Sequence, residues 1–228
     1  MTGEGKKRPR VLLGATHSTI ENLGLIYLLG VARDEGYDRA ISLIQDDDFE
    51  PFFERVRDFK PDVVGFNIYT GPHVKLYEAF DRLKKEFPNI RTVVGGPHAT
   101  YFPDEVTKHA DNAVMSEGFR AFRDILRGEV GPGIIEFTDD RMEEWPKADR
   151  DTFYRDSPEH AASVIKSIIN MTGCVYDCDY CYNSTKKNVI EIPANLRARL
   201  NGFSLPILAK NDKKESSGSR LFPRNIRT

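Results

Sequence analysis

Cysteine is scarce in this 228-residue chain: there are three, all between positions 174 and 181. An odd number so closely spaced cannot form a disulfide framework, so the fold must rest on a hydrophobic core, which a chain of this length can bury in one or two domains. Long apolar runs are absent as well. No stretch approaches the roughly 18 consecutive apolar residues of a membrane span, and the opening MTGEGKKRPR lacks the apolar segment of a secretory signal. A cytoplasmic protein with reduced thiols and no membrane partner is expected. No GxGxxG follows the first apolar run and no GxxxxGK[ST] occurs, so ordinary dinucleotide or nucleoside triphosphate binding has no support. Nor does one sign of charge dominate, with 33 basic against 35 acidic residues. The balance is uneven along the chain, because residues 186–228 hold ten Lys or Arg against three Asp or Glu. That basic tail has no aromatic interleaving and reads as a solvated segment rather than a nucleic-acid arm. Residues 1–9, with Lys6, Lys7 and Arg8, read as a flexible lead-in.

From residue 10 to about 135, short apolar runs alternate with longer amphipathic ones, the pattern of a parallel sheet wrapped by helices. The runs are VLLGA (11–15), AISLI (40–44), DVVGFNI (62–68), TVVGG (92–96) and NAVMS (112–116). Helical stretches are expected at 22–35, 51–59, 73–87, 103–110 and 118–127. In the third, Leu76, Phe80, Leu83 and Phe87 form one apolar stripe with charged residues around it. Five such units fit a flavodoxin-like, doubly wound α/β domain, whose ligands sit beyond the carboxyl ends of the strands where the strand order reverses. The loops there would be ATHSTIEN, NIYTGPH, GGPHATYFP and SEG. Gly95-Gly96 allows an unusual φ or a close backbone approach to a ligand, while Pro97 and Pro103 stiffen the loop around them. Residues 136–161, rich in acid, base and proline, read as a linker. SVIKSII (163–169) reads as a further strand leading into NMTGCVYDCDYCYNS, so a second domain begins within 162–190, and 191–228 is an irregular tail.

Cys174, Cys178 and Cys181 form CxxxCxxC on a loop opened by Gly173. Three thiolates at this spacing can converge on one face of a four-iron four-sulfur cluster and leave one iron without a protein ligand, open to a cosubstrate. Zinc, a CxxC redox pair and chance are the alternatives. Structural zinc ordinarily takes four protein ligands, and neither a fourth cysteine nor a nearby histidine is present; a redox pair leaves Cys174 unexplained.

CxxxCxxC with Tyr180 just before the last cysteine, preceded by VVGGPHATYFPDEV, ADNAVMSEGFRAFRDIL and an acidic, proline-containing link, resembles the radical S-adenosylmethionine proteins that carry an N-terminal cobalamin domain. The resemblance covers roughly residues 10–186. It implies that Cys174, Cys178 and Cys181 hold a 4Fe-4S cluster, that S-adenosylmethionine binds the open iron with Tyr180 near its adenine, and that a flavodoxin- or ferredoxin-like donor supplies electrons. Reductive cleavage then drives radical chemistry on an unknown substrate, often methyl transfer. Cobalamin would meet the loops holding Tyr69, Thr70 and Gly71, then Gly95, Gly96, Pro97 and His98, then Glu117 and Gly118. Of the cobalt-ligand motif DxHxxG only His17 is kept, so a cobalt–histidine bond is not expected, and Phe119-Arg120 stand where an acidic residue usually follows the Glu-Gly pair. Only 47 residues follow Cys181, whereas a full barrel of eight units takes about 250. The chain is therefore expected to be an incomplete member of this group. A non-catalytic cobalamin-binding module and a zinc-binding adaptor are the alternatives.

Overall fold

The computed structural model describes residues 8–116, 118–137, 145–172 and 190–191. Its main sheet is built from β1 (Arg10–Thr16), β2 (Asp38–Ile44), β3 (Val63–Asn67), β4 (Arg91–Gly95), β5 (Asn112–Ser116) and β6 (Gly133–Phe137). All six run parallel in the order β2-β1-β3-β4-β5-β6. Strand order thus reverses between β1 and β3, the flavodoxin-like arrangement, with one strand more than the apolar runs indicate. The extra strand, β6, is a half-exposed edge in which only Ile135 is buried, so it lacks the continuous apolar signature of the interior strands.

Because successive strand side chains point to opposite faces, β1 feeds two cores: Val11, Leu13 and Ala15 on one side, Leu12 on the other. The first core is closed by α1 (Leu23–Asp34) and α6 (Phe119–Arg127), the second by α2 (Glu50–Phe59) and α3 (His73–Glu86). Asn22 caps α1, its Oδ1 accepting from Leu25 N at 3.1 Å. The single helix expected over 103–110 is instead two short ones, α4 (Pro97–Tyr101) and α5 (Pro103–Val106). Pro103 has no N–H to continue a helix and pushes Phe102 out of helical geometry, to φ −129° and ψ 50°.

The largest departures follow Phe137. Within the stretch read as a linker, α7 (Arg150–Asp156) and α8 (Pro158–Ala162) form a strap along the sheet. Trp145 packs with Tyr27 and Phe119, and Phe153 is fully buried. Lys147 O approaches α1 so closely that a Cβ on Gly30 would lie 2.2 Å from it, so this helix interior needs glycine. The strap also covers the free edge of β2: Ile41 N donates to Asp156 Oδ2 at 3.0 Å, and Arg155 Nη2 donates to Arg39 O at 2.9 Å. An otherwise unpaired strand edge is thereby closed to other chains. Residues 163–169, read as a strand, form none. Val164 and Ile165 are exposed, and the segment is held by a side chain rather than a ladder, as described below. The next strand is the two-residue β7 (Met171–Thr172), antiparallel to β8 (Ile190–Glu191).

Candidate functional site at the carboxyl edge

The reversal between β1 and β3 leaves a narrow recess lined by Thr16, Ile44, Phe49, Phe66, Asn67 and Pro72 among others. Asn67, the last residue of β3, is part of that lining. Its Nδ2 reaches Asn22 Oδ1 at 3.4 Å, but its Oδ1 is buried without a hydrogen-bond partner, the only such side-chain atom among the described residues. A buried acceptor left in that state costs about 1–3 kcal/mol, so it asks for a donor from a ligand.

Gly96 lies against the same atom. It has φ +98°, and a Cβ there would fall 2.1 Å from Asn67 Oδ1 and 2.9 Å from Ile68 O. Ile68 N donates to Gly95 O at 3.0 Å and His98 N to Ile68 O at 3.2 Å, which locks the loops after β3 and β4 together. Thr100 Oγ1 donates to Gly96 O at 3.1 Å and accepts from Ser116 N at 3.1 Å, bringing the end of β5 into the same frame. Of the glycine pair singled out in the sequence, Gly96 carries the constraint; a Cβ on Gly95 would make ordinary contact, 3.8 Å from Val114.

His98 is buried behind this loop. Its Nδ1 shares a 2.9 Å hydrogen bond with Thr70 Oγ1, its Nε2 one of 2.9 Å with the Tyr77 hydroxyl, and its ring stacks on His73 with centroids 4.2 Å apart. His98 therefore props the Thr70 loop from below instead of facing the recess. Pro97 serves as the first residue of α4. Tyr69, Val74, Tyr101 and Phe102 are exposed apolar residues on these loops and helix starts, and Gly71 has φ +124° with open space around it. Gly118 precedes α6. Glu117, Tyr180 and the three cysteines lie outside the described residues.

A family model of the B12 binding domain matches residues 9–126, more than half of the chain. The chain belongs to the B12-binding domain family. It is 25% identical over 185 residues to an uncharacterized methyltransferase of Pyrococcus horikoshii, covering 71% of this chain and 40% of that one. It is also 25% identical over 183 residues to the hopanoid C-3 methylase of Methylococcus capsulatus, covering 71% and 36%. The chain thus spans well under half the length of these relatives. A cobalamin-binding protein of Desulfitobacterium hafniense shares 20% identity at a TM-score of 0.45, over 55% of this chain and 60% of that one. No helix among the described residues is long and apolar enough to cross a membrane.

In this B12-binding domain the state of His98 sets a pH dependence. Burial, and then the neighbouring His73, hold its pKa below the ordinary 6.5, with Glu105 acting the other way. Burial, with Glu105 adding to it, also pushes the Tyr77 hydroxyl up to about 12, so Tyr77 stays protonated. Below 6.5 the unfolded chain takes up a proton that the folded chain refuses. The stability that depends on neutral His98 is therefore complete above that value and is lost as pH falls through the lower, folded one. Urea midpoints should drop as pH falls below 6.5, and His98→Gln should remove that part of the slope while leaving the acid limb of the carboxylates.

The sequence reading missed Asn67 and Glu21. Asn67 had a signal, a polar residue ending an apolar strand; Glu21 had none. Glu21 sits in the β1–α1 loop, yet its side chain is only 2% exposed, paired with Arg150 of α7 at 2.8 Å. Tyr154 donates to its Oε1 at 2.6 Å and Ser167 N to its Oε2 at 2.7 Å, while Arg150 Nη2 donates to Ser167 O. Burial alone would raise the carboxyl pKa; the hydrogen bonds from Tyr154, Ser167 and Arg150 overcome this and hold it below its usual value. One carboxylate thereby ties the loop after β1, the strap and the segment 166–168 together at the carboxyl edge.

Proposed function

We propose that this chain binds cobalamin at the carboxyl edge of β1, β3 and β4, and that Cys174, Cys178 and Cys181 hold a 4Fe-4S cluster with which a radical S-adenosylmethionine reaction, of methyl-transfer type, is carried out. The observation that carries the cobalamin part is the unpartnered buried Oδ1 of Asn67 at the reversal of strand order, packed against Gly96, whose lack of a Cβ lets the loops after β3 and β4 close on each other. A corrinoid suits this edge. Its peripheral amides donate hydrogen bonds, and its broad apolar macrocycle matches the exposed rim of Tyr69, Tyr101 and Phe102. Asn67 would accept from the ligand, Gly96 would keep the loops after β3 and β4 together, and His98 would hold Thr70 in place from beneath.

The cluster part rests on the donor set, three thiolates in CxxxCxxC. The relatives named as methyltransferase and methylase support the reaction class. When bound, these groups supply a methyl-carrying cobalt and a reducing electron for cleavage of S-adenosylmethionine. The chain's own part is to bring them together. The strap runs from the amino side of β2 to its carboxyl end, and the Glu21–Arg150 clamp delivers Ser167, seven residues before Cys174, to the edge where Asn67 and Gly96 lie.

Two measurements test the reading separately. Asn67→Leu removes an unsatisfied buried acceptor, so unfolding free energy should stay within about 1 kcal/mol of the parent or rise, while cobalamin affinity falls about tenfold. Unchanged affinity would take Asn67 out of the site. Anaerobic reconstitution should incorporate about four iron and four sulfide per chain, absent when all three cysteines are serine. No iron, and one zinc that is lost when the cysteines are serine, would instead favour a structural metal site at the cysteine motif.

A further inference from the structure

We infer that His17, Glu159 and His160 form a divalent metal site that fastens the strap to the loop after β1, independent of cobalamin and of the cysteine motif. The three residues come from the end of β1 and from α8, and each offers one ligand atom, all within 4.8 Å of one another. Glu159 Oε1 lies 3.6 Å from His17 Nε2 and 3.5 Å from His160 Nδ1. Those separations are too long for charge-assisted imidazole–carboxylate hydrogen bonds, which close to about 2.7–2.9 Å. They are close to the edge of a tetrahedron around zinc, since bonds of about 2.0–2.1 Å place neighbouring ligand atoms roughly 3.3–3.4 Å apart.

The surrounding hydrogen bonds point the same way. His160 is buried, and its Nε2 donates to the backbone carbonyl of Ser18 at 2.8 Å, which fixes that nitrogen as the N–H and leaves Nδ1, on the side of Ser157 and Glu159, as the one with a lone pair. A backbone carbonyl on the far nitrogen is the usual way a metal-binding histidine is oriented. Ser157 Oγ stands 2.5 Å from Glu159 Oε1 and 2.6 Å from His160 Nδ1. A hydroxyl has one proton and faces two acceptors there, so one of the two contacts goes without a hydrogen, and a cation ligated by Nδ1 would satisfy it. With the metal bound, Ser157 keeps its bond to Glu159 and releases Nδ1, and water takes the fourth position.

The other histidine pair does not offer this. In the cluster of His73, His98 and Glu105, both nitrogens of His98 are engaged by Thr70 and Tyr77, and His73 Nδ1 accepts from Gly71 N at 3.0 Å. No lone pair of His98 is left for a metal without breaking the loop that it supports.

The test uses the full chain with Cys174→Ser, Cys178→Ser and Cys181→Ser, stripped of metal, so that thiolates cannot take the ion. Titration with Co²⁺ should give visible ligand-field bands of a tetrahedral nitrogen–oxygen site, saturating at one equivalent, and excess Zn²⁺ should abolish them. Zn²⁺ at about a hundredfold over its Kd should raise the melting midpoint by about 5–10 °C. His17→Gln and Glu159→Gln, both at partly exposed positions that leave the buried His160 intact, should each remove the bands and the shift; His73→Gln should change neither. Absence of the bands in the parent, or bands that survive both His17→Gln and Glu159→Gln, would overturn the inference.

Discussion

Replacing Gly96 by alanine is expected to lower the unfolding free energy by about 3 kcal/mol and to weaken cobalamin binding about 100-fold. Two separate costs combine. At φ +98° any L side chain is strained, and the new Cβ would stand 2.1 Å from Asn67 Oδ1 and 2.9–3.0 Å from the backbone O and N of Ile68. The Asn67 amide can rotate away, but the Ile68 backbone cannot, because its N–H and C=O are held by Gly95 and by His98 N. Relief must therefore come from moving the β4 loop away from the β3 loop, which deforms the proposed cobalamin site. Gly128→Ala is the matched control. It also has positive φ, +73°, with nothing within 4 Å, and it ends α6 at the opposite edge of the sheet. It should cost about 1 kcal/mol and leave cobalamin affinity unchanged. Urea denaturation and equilibrium titration with hydroxocobalamin, run on both variants, read the two effects apart.

Arg150→Met is expected to cost about 3–5 kcal/mol, the usual penalty for leaving one member of a buried ion pair unmatched. Glu21, at 2% side-chain exposure, would keep the bonds from Tyr154 and Ser167 but lose its closest cation, with only Lys166 Nζ left at 3.9 Å. The same substitution removes the donor to Ser167 O, so the segment after α8 should become more accessible to protease. Glu21→Gln should destabilise as well, since it leaves the Arg150 charge buried. The double variant Glu21→Gln/Arg150→Met should recover part of the loss, and the shortfall from additivity measures the pair itself. Additive losses would show that the two residues act as separate packing elements.

β1 to β5 were legible because the buried residues of each read as an apolar run, even in β2 at the sheet edge; β6 and the strap were not. α7 has the sequence RDTFYRD, in which Phe153 is the one large apolar residue turned fully inward, and its attachment depends on Arg150, Asp156 and the capping Asp149. Charged residues that make specific bonds look in sequence like a solvated linker. SVIKSII misleads in the opposite sense, since its apolar residues suggest a buried strand while Val164 and Ile165 stand in solvent. At the site, the glycine pair, His98 and Thr70 could be singled out from strand-end loops alone. The roles within that set could not. Only geometry separates Gly96, which must lack a side chain, from Gly95, and shows His98 as a support beneath the loop. Glu21 was invisible because its partner lies 129 positions away in the chain, and nothing local marks a surface-type residue for burial.

The proposed function stands on cobalamin binding at the carboxyl edge, where Asn67 and Gly96 meet. It is tested most directly by passing the purified chain, incubated with hydroxocobalamin, through a desalting column and measuring the corrinoid retained per chain, with Gly96→Ala run beside it. About one corrinoid should stay with each parent chain and little with the variant at equal concentration. No retention by the folded parent, or equal retention by a folded Gly96→Ala chain, would contradict it.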